Sequence, residues 1–175
     1  MQSSLPPGIS IAKADSLDEW HMDIQVLDSN PLYVDQTYRL KFTFGKNYPI
    51  GALCGHLPTS PSLPLRLGML TSRLPLLTTE APEVQFIQLQ SSATCLTPRP
   101  IPMHPHVYSN GIICLDLLGS AGWSPVQTVE SVCVSIQSML TGNTKNERPP
   151  WDSEFVMRNR QRPRDISFVY EDNSV

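Results

Sequence analysis

A chain of 175 residues with 40% hydrophobic content is long enough for one domain with a buried core and short for two. Its 13 Lys and Arg stand against 16 Asp and Glu, a net charge of -3, so no basic surplus exists to neutralise a phosphate backbone and nucleic acid is not an expected partner. No run approaches the roughly 20 apolar residues of a membrane span, and the opening MQSSLPPG lacks the basic and apolar regions of a signal peptide, so cytoplasm or nucleus is expected, with no membrane partner.

Trp20, Met22, Ile24 and Val26 alternate with Glu19, His21, Asp23 and Gln25, the period of a half-buried strand. Tyr38, Leu40, Phe42 and Phe44 repeat it. Asp28-Ser29-Asn30-Pro31 between them is turn chemistry, so the two strands should pair antiparallel, and Val84-Gln85-Phe86-Ile87 offers a third. The fold class that follows is α+β: an antiparallel β-meander packed against helices, in a single domain over 1–175.

Residues 51–79 look foreign to this plan. They hold nine Leu and four Pro, no Asp, Glu or Lys, and neither strand nor helix periodicity, and they interrupt what would otherwise run Tyr48-Pro49-Ile50-Glu80-Ala81-Pro82-Glu83-Val84. A loop of 29 residues is uncommon inside a compact domain. The expectation is an inserted segment, such as retained intron sequence, rather than a functional lid.

A helix should begin at Ser124-Pro125-Val126-Gln127, where Ser can cap, Pro can take the first helical position and Gln stands three residues on. Val129, Val132, Cys133, Ile136, Met139 and Leu140 then recur at helical spacing and Gly142 is a stop, so this apolar stripe should lie on the sheet. After Arg148 the pattern dissolves. Arg158, Arg160, Arg162 and Arg164 recur at alternate positions and Ile166-Ser167-Phe168-Val169-Tyr170 turns apolar before an acidic end, which reads as an irregular, solvated tail from about 149 with a short docking element.

Seventeen prolines forecast long surface loops, and the four cysteines, Cys54, Cys95, Cys114 and Cys133, form no CxxC pair, so reduced thiols are expected. Cys133 falls on the helix stripe and belongs to the core; Cys54 and Cys95 have no visible partners. Cys114 ends the run His104-Pro105-His106-Val107-Tyr108-Ser109-Asn110-Gly111-Ile112-Ile113-Cys114-Leu115-Asp116. Prolines at 100, 102 and 105 exclude a helix on the way in, and Asn110-Gly111 signals a tight turn, so the thiol should sit on irregular backbone just past it. A thiol nucleophile needs thiolate character, access for a bulky acyl donor and hydrogen-bond donors near the acyl oxygen. His106 and Asn110 can donate, and Asp116 can orient an attacking amine. By spacing alone, a Cys between Ile113 and Leu115 reads more readily as a buried small hydrophobe than as a nucleophile. His104 and His106 equally fit packing residues, or two metal ligands beside Cys114; a fourth ligand at suitable spacing is lacking, so no metal is expected.

The series His-Pro-x-x-Tyr-x-x-Gly-x-Ile-Cys-Leu at 104 to 115, followed by Trp123-Ser124-Pro125 and a helix, resembles the core signature of ubiquitin-conjugating (E2) enzymes. Pro6-Pro7-Gly8, the strands at 20 to 26 and 38 to 44, Tyr33, Tyr48-Pro49 and Pro82-x-Val84-x-Phe86 resemble the family's N-terminal half in order. His-Pro-His in place of His-Pro-Asn, with Arg148-Pro149-Pro150 and a Phe168-Val169-Tyr170-Glu171-Asp172 ending, is most similar to the W-type branch, known for attaching ubiquitin to substrate N-termini.

The resemblance implies the E2 (UBC-like) fold and a thioester on Cys114, received from an activating enzyme (E1) and passed to a substrate amine. It puts His106 where the family has its oxyanion-assisting Asn, makes His104, Pro105, Tyr108, Gly111 and Trp123 supports of the site, and assigns Pro49, Ile50, Pro125 and Val126 to contact with a RING or U-box E3 ligase. Partners are then ubiquitin, E1, E3 and protein substrates; no cofactor is bound, and ATP is consumed by E1. The family's first helix, which docks E1, is expected to be missing, because only Met1 to Leu5 precede Pro6-Pro7-Gly8. An impaired E2-like scaffold that binds ubiquitin or a ligase is the alternative.

Overall fold

The structure is a computed structural model that describes residues 5–46, 48, 80–90, 98–119 and 122–168. The segment 51–79, Pro49, Ile50, Cys54, Cys95 and residues 169–175 lie outside the described residues.

Four antiparallel strands form one sheet in the order β1-β2-β3-β4: β1 Ile9–Lys13, β2 Glu19–Gln25, β3 Thr37–Thr43 and β4 Glu83–Ile87. Alternation carries through to burial. Met22, Ile24, Tyr38, Leu40, Phe42, Val84 and Phe86 are all buried on one face, and their neighbours point outward. On the outer face Asp23 lies between Arg39 and Arg99, whose hydrogen bonds outweigh the raising effect of burial and hold the carboxyl below its ordinary range. The strand β1 has no counterpart in the periodicity, because only Ile9 is buried and its other four residues are exposed. An edge strand is defined here by its pairing with β2, Ile9 opposite Ile24, and not by an apolar face.

The helix α1, Val129–Thr141, lays Val132, Cys133, Ile136 and Leu140 on the buried face of the sheet, as its stripe predicts. Its Gln137 amide also donates to the Gln25 and Pro7 carbonyls at 2.7 and 3.1 Å. Burial drives the Cys133 thiol up to about 12, so it stays protonated and packs as a small apolar side chain. The C-terminal stop at Gly142 is as expected; the start is not. The N-cap is Thr128, in a reciprocal capping box with Ser131, and Ser124–Gln127 is a turn closed by Gln127 N–H on the Ser124 carbonyl at 2.9 Å. Proline's fixed φ suits the second position of such a turn as well as the first position of a helix, so Ser124-Pro125 fits both.

The stretch after Arg148 also differs from expectation. It contains a second helix, α2, Asp152–Arg158, and a 3-10 turn, Pro163–Asp165. It is docked in part: Arg164 pairs with Glu80 and with Glu83 (3.3 Å) and Ile166 is buried, while Trp151 and Met157 remain exposed. Of the arginines that recur there, Arg158 pairs with Glu154 and Arg162 with Asp165.

Candidate active site

Tyr108-Ser109-Asn110-Gly111 makes a turn, with Gly111 N–H on the Tyr108 carbonyl at 2.9 Å, and the chain returns antiparallel along itself. Tyr108 N–H donates to Ile112 and Cys114 N–H to His106, at 2.9 and 2.8 Å, around the bridge between Val107 and Ile113. This register places Cys114 directly opposite His106. Period-2 alternation then decides what each residue faces. Val107 and Ile113 are 0% and 3% exposed and enter the core, whereas His106 is exposed and Cys114 half-buried on the opposite side. Directly opposed side chains stand about 5 Å apart at Cβ, so the thiol and the imidazole share one small patch of surface. Tyr108 is close enough to Cys114 for its phenol to be raised by that thiol, after the larger effect of burial and ahead of Asp152.

The turn depends on one glycine. Gly111 has φ +89°, and a Cβ there would lie 1.9 Å from the Phe86 carbonyl oxygen of β4. The same closeness lets Phe86 N–H donate to Gly111 and ties the hairpin to the sheet edge. Asn110 occupies the tip and spends its side-chain carbonyl on Ile112 N–H at 3.2 Å. That bond is the work of a turn residue at the hairpin tip, four positions from Cys114 in sequence.

His104 is buried and neutral. Its Nδ1 accepts from His106 N–H at 2.9 Å and its other nitrogen donates to the Met139 carbonyl of α1. Burial, reinforced by the neighbouring His106 and opposed by that carbonyl, pushes its pKa from 6.5 down to about 4. His104 thereby fastens the site to the helix, with Pro105 turning the chain so that Val107 N–H reaches the His104 carbonyl. No group of three or more His, Cys, Asp or Glu among the described residues could hold a metal ion.

Asp116 is exposed at the start of a 3-10 turn, Asp116–Leu118, two residues past Cys114. Trp123 is buried, its ring 5.9 Å from that of Tyr48, and its indole N–H has no acceptor among the described residues. This contact brings together the segments leading into Pro49 and into Pro125, and Val126 in the latter is 83% exposed. Four further side chains support the site: Tyr33 and Arg148 entered the sequence reading only through the resemblance and without this role, and Asp152 and Phe155 not at all. Arg148 donates to three carbonyls of the approach, Tyr33 to a fourth, Asp152 accepts from Ser109 N–H at 2.8 Å, and Phe155 stacks on Tyr108 at 3.9 Å. Each lies more than 30 residues from its partner, where no spacing rule reaches.

The family model for ubiquitin-conjugating enzymes matches residues 77–170. This chain belongs to the ubiquitin-conjugating enzyme family. The probable ubiquitin-conjugating enzyme E2 W of Dictyostelium discoideum is 33% identical over all of this chain and 90% of its own length. The E2 W of Caenorhabditis elegans is 29% identical, again over the whole chain and 90% of its own. These relatives put the chain in the W-type branch. The crystal structure of the E2 UbcA1 from Agrocybe aegerita superposes with a TM-score of 0.65 at 32% identity, covering 91% of this chain and 86% of that one. The fold is therefore the α+β E2 fold and the protein a transferase of the ubiquitination pathway, with ubiquitin, an E1 and E3 ligases as the family's general partners.

Proposed function

We propose that Cys114 is the residue charged with ubiquitin. In this reading its thiolate attacks the carbonyl of ubiquitin held on the E1, forms a new C–S bond and releases the E1 thiol. The observation that carries the reading is the hairpin register, which puts a partly exposed thiol directly across from His106. A substrate amine then attacks the thioester carbon; the C–N bond forms, negative charge develops on the carbonyl oxygen, the C–S bond breaks and Cys114 departs as thiolate while the amine nitrogen gives up a proton. His106 supplies an imidazole N–H to the developing oxyanion, a role worth about 10²–10³ in rate where a single donor has been removed elsewhere. Asp116 orients the incoming ammonium before it loses its proton.

The amine is the α-amine of a substrate N-terminus. At pH 7 about a tenth of such amines, with reference pKa near 7.7–8.0, are the free base, against well under 0.1% for Lys near 10.4. A site built around an imidazole instead of the family's Asn suits a nucleophile that needs little help losing its proton. Pro125 and Val126, with Pro49 and Ile50, form the E3 contact. Val126 in particular is an apolar side chain with nothing covering it.

Incubation with E1, ubiquitin and ATP, followed by a non-reducing gel, tests the reading. Wild type should give a thiol-sensitive adduct, Cys114→Ala none, and Cys114→Ser a thiol-resistant oxyester. A wild-type chain that binds ubiquitin or a ligase yet takes up no adduct is a scaffold. A substrate with a blocked α-amine and many Lys should be modified poorly; unchanged modification would overturn the α-amine preference.

A further inference from the structure

The approach to the site, residues 98–105, carries prolines at 98, 100, 102 and 105. Proline has no N–H, so beyond the single backbone bridge of Arg99 with Leu89 this stretch cannot extend a ladder with a neighbouring strand, and most of its carbonyls must find other donors. The His104 carbonyl takes Val107 N–H, and those of Ile101, Pro102 and Met103 find their donors on distant side chains. The Arg148 guanidinium donates to the Pro102 carbonyl at 2.7 Å, to Val107 at 3.0 Å and to Ile101 at 3.2 Å, and the Tyr33 hydroxyl takes Met103 at 2.7 Å. Pro102 and Val107 flank the His104–His106 turn, so one side chain grips the chain on both sides of the residue that faces the thiol.

We infer that Arg148 is a positioning residue for ubiquitin transfer: by holding the Ile101, Pro102 and Val107 carbonyls together it sets where His106 stands relative to Cys114. The inference rests on the proposed roles of Cys114 and His106. A planar fork with five donors can serve three carbonyls that lie in different directions; a Lys ammonium in the same place is a point charge with three donors on a longer leash. The stretch that begins at Arg148 also grips the other arm of the hairpin. Asp152 accepts Ser109 N–H and Phe155 stacks on Tyr108, so entry and turn are both held by residues within eight positions of one another. Arg148 itself touches no reacting atom, and its effect passes through backbone.

A double-mutant cycle on the full chain separates this role from a plain structural brace. Each variant is charged with ubiquitin, then discharged in a single turnover at saturating concentration of a peptide with a free N-terminus. Arg148→Ala should charge within about twofold of wild type and discharge about tenfold more slowly, the scale expected when a catalytic group is displaced. The pair His106→Ala and Arg148→Ala together should discharge no more slowly than His106→Ala alone, because both act at one contact. Arg148→Lys should recover part of the rate, and it carries the same cycle if Arg148→Ala does not fold. Discharge of the single variant at the wild-type rate, or losses that multiply in the double variant, overturns the inference alone. A wild-type chain that takes up no ubiquitin overturns the reading of Cys114 and this inference with it.

Discussion

The sheet and the thiol hairpin with its approach differ in how far side chains satisfy their backbones. Between β2 and β3 seven residue pairs are held by one strand's peptide groups against the other's, so the ladder is indifferent to which side chains it carries. From Ile101 to Ser109 the hairpin's own backbone bonds are joined by side-chain partners: Arg148 for Ile101, Pro102 and Val107, Tyr33 for Met103, the His104 ring for His106, Asp152 for Ser109. A ladder spreads its dependence over many peptide groups. The hairpin concentrates it in a few named residues, and those can be removed singly.

The sharpest break is expected at Gly111→Ala. The added Cβ meets the Phe86 carbonyl at 1.9 Å and the φ of +89° is strained for any side chain, so the tie to β4 must part at a cost of at least about 4 kcal/mol. Urea denaturation should show that loss, and a variant as stable as wild type would mean that hairpin and sheet are not rigidly joined.

Next is the pH response of His104. Its folded pKa, about 4, lies below its ordinary 6.5, so between these values the unfolded chain binds the extra proton and stability must fall as the solution is acidified. The loss should begin below about pH 6.5, amount to about 3 kcal/mol and level off below about pH 4. Asp23 contributes in the same direction but in a separate window, because its depressed carboxyl lets go only below its ordinary 3.8. Stability curves from pH 7 to 4 on wild type and His104→Gln check this: the variant's curve should be flatter, and parallel curves would remove His104 as the cause.

Tyr33→Phe deletes the hydroxyl that donates to Met103 and accepts from the Asn143 amide in a buried place. Leaving both partners short should cost about 1–3 kcal/mol by thermal or urea denaturation. A neutral result would show that the approach to the site is held by Arg148 alone. The smallest effect belongs to the regular half of the molecule. Thr128→Ala removes the α1 cap and should cost about 1 kcal/mol, whereas Ser124→Ala should leave the helix unchanged because Ser124 closes a turn and caps nothing. Equal losses from the two would restore the earlier helix start.

These contrasts follow what could be read in advance. Where one residue's role depends on its neighbours at fixed spacing, the sequence was sufficient: β2, β3 and β4 from alternation, the α1 stripe and its end at Gly142, the turn at Asn110-Gly111 and the thiol just beyond it. Spacing was ambiguous where one residue type serves two geometries. Ser124-Pro125 fits a cap or a turn, and only the hydrogen bonds actually made distinguish the two. β1 went unread because an edge strand with four exposed residues leaves no apolar pattern.

By itself, then, the sequence determined the α+β meander, the core stripe and Cys114 in its ordered surroundings, since periodicity and local turn chemistry are properties of neighbouring residues. Tertiary structure alone decided that His106 stands opposite Cys114, that His104 is neutral and bonded to α1, and that Arg148, Asp152 and Phe155 return from the C-terminal stretch to hold the hairpin. The reason is physical. Proline-rich backbone cannot satisfy its own carbonyls, so its donors come from wherever the fold brings them, and nothing in the local pattern records that address.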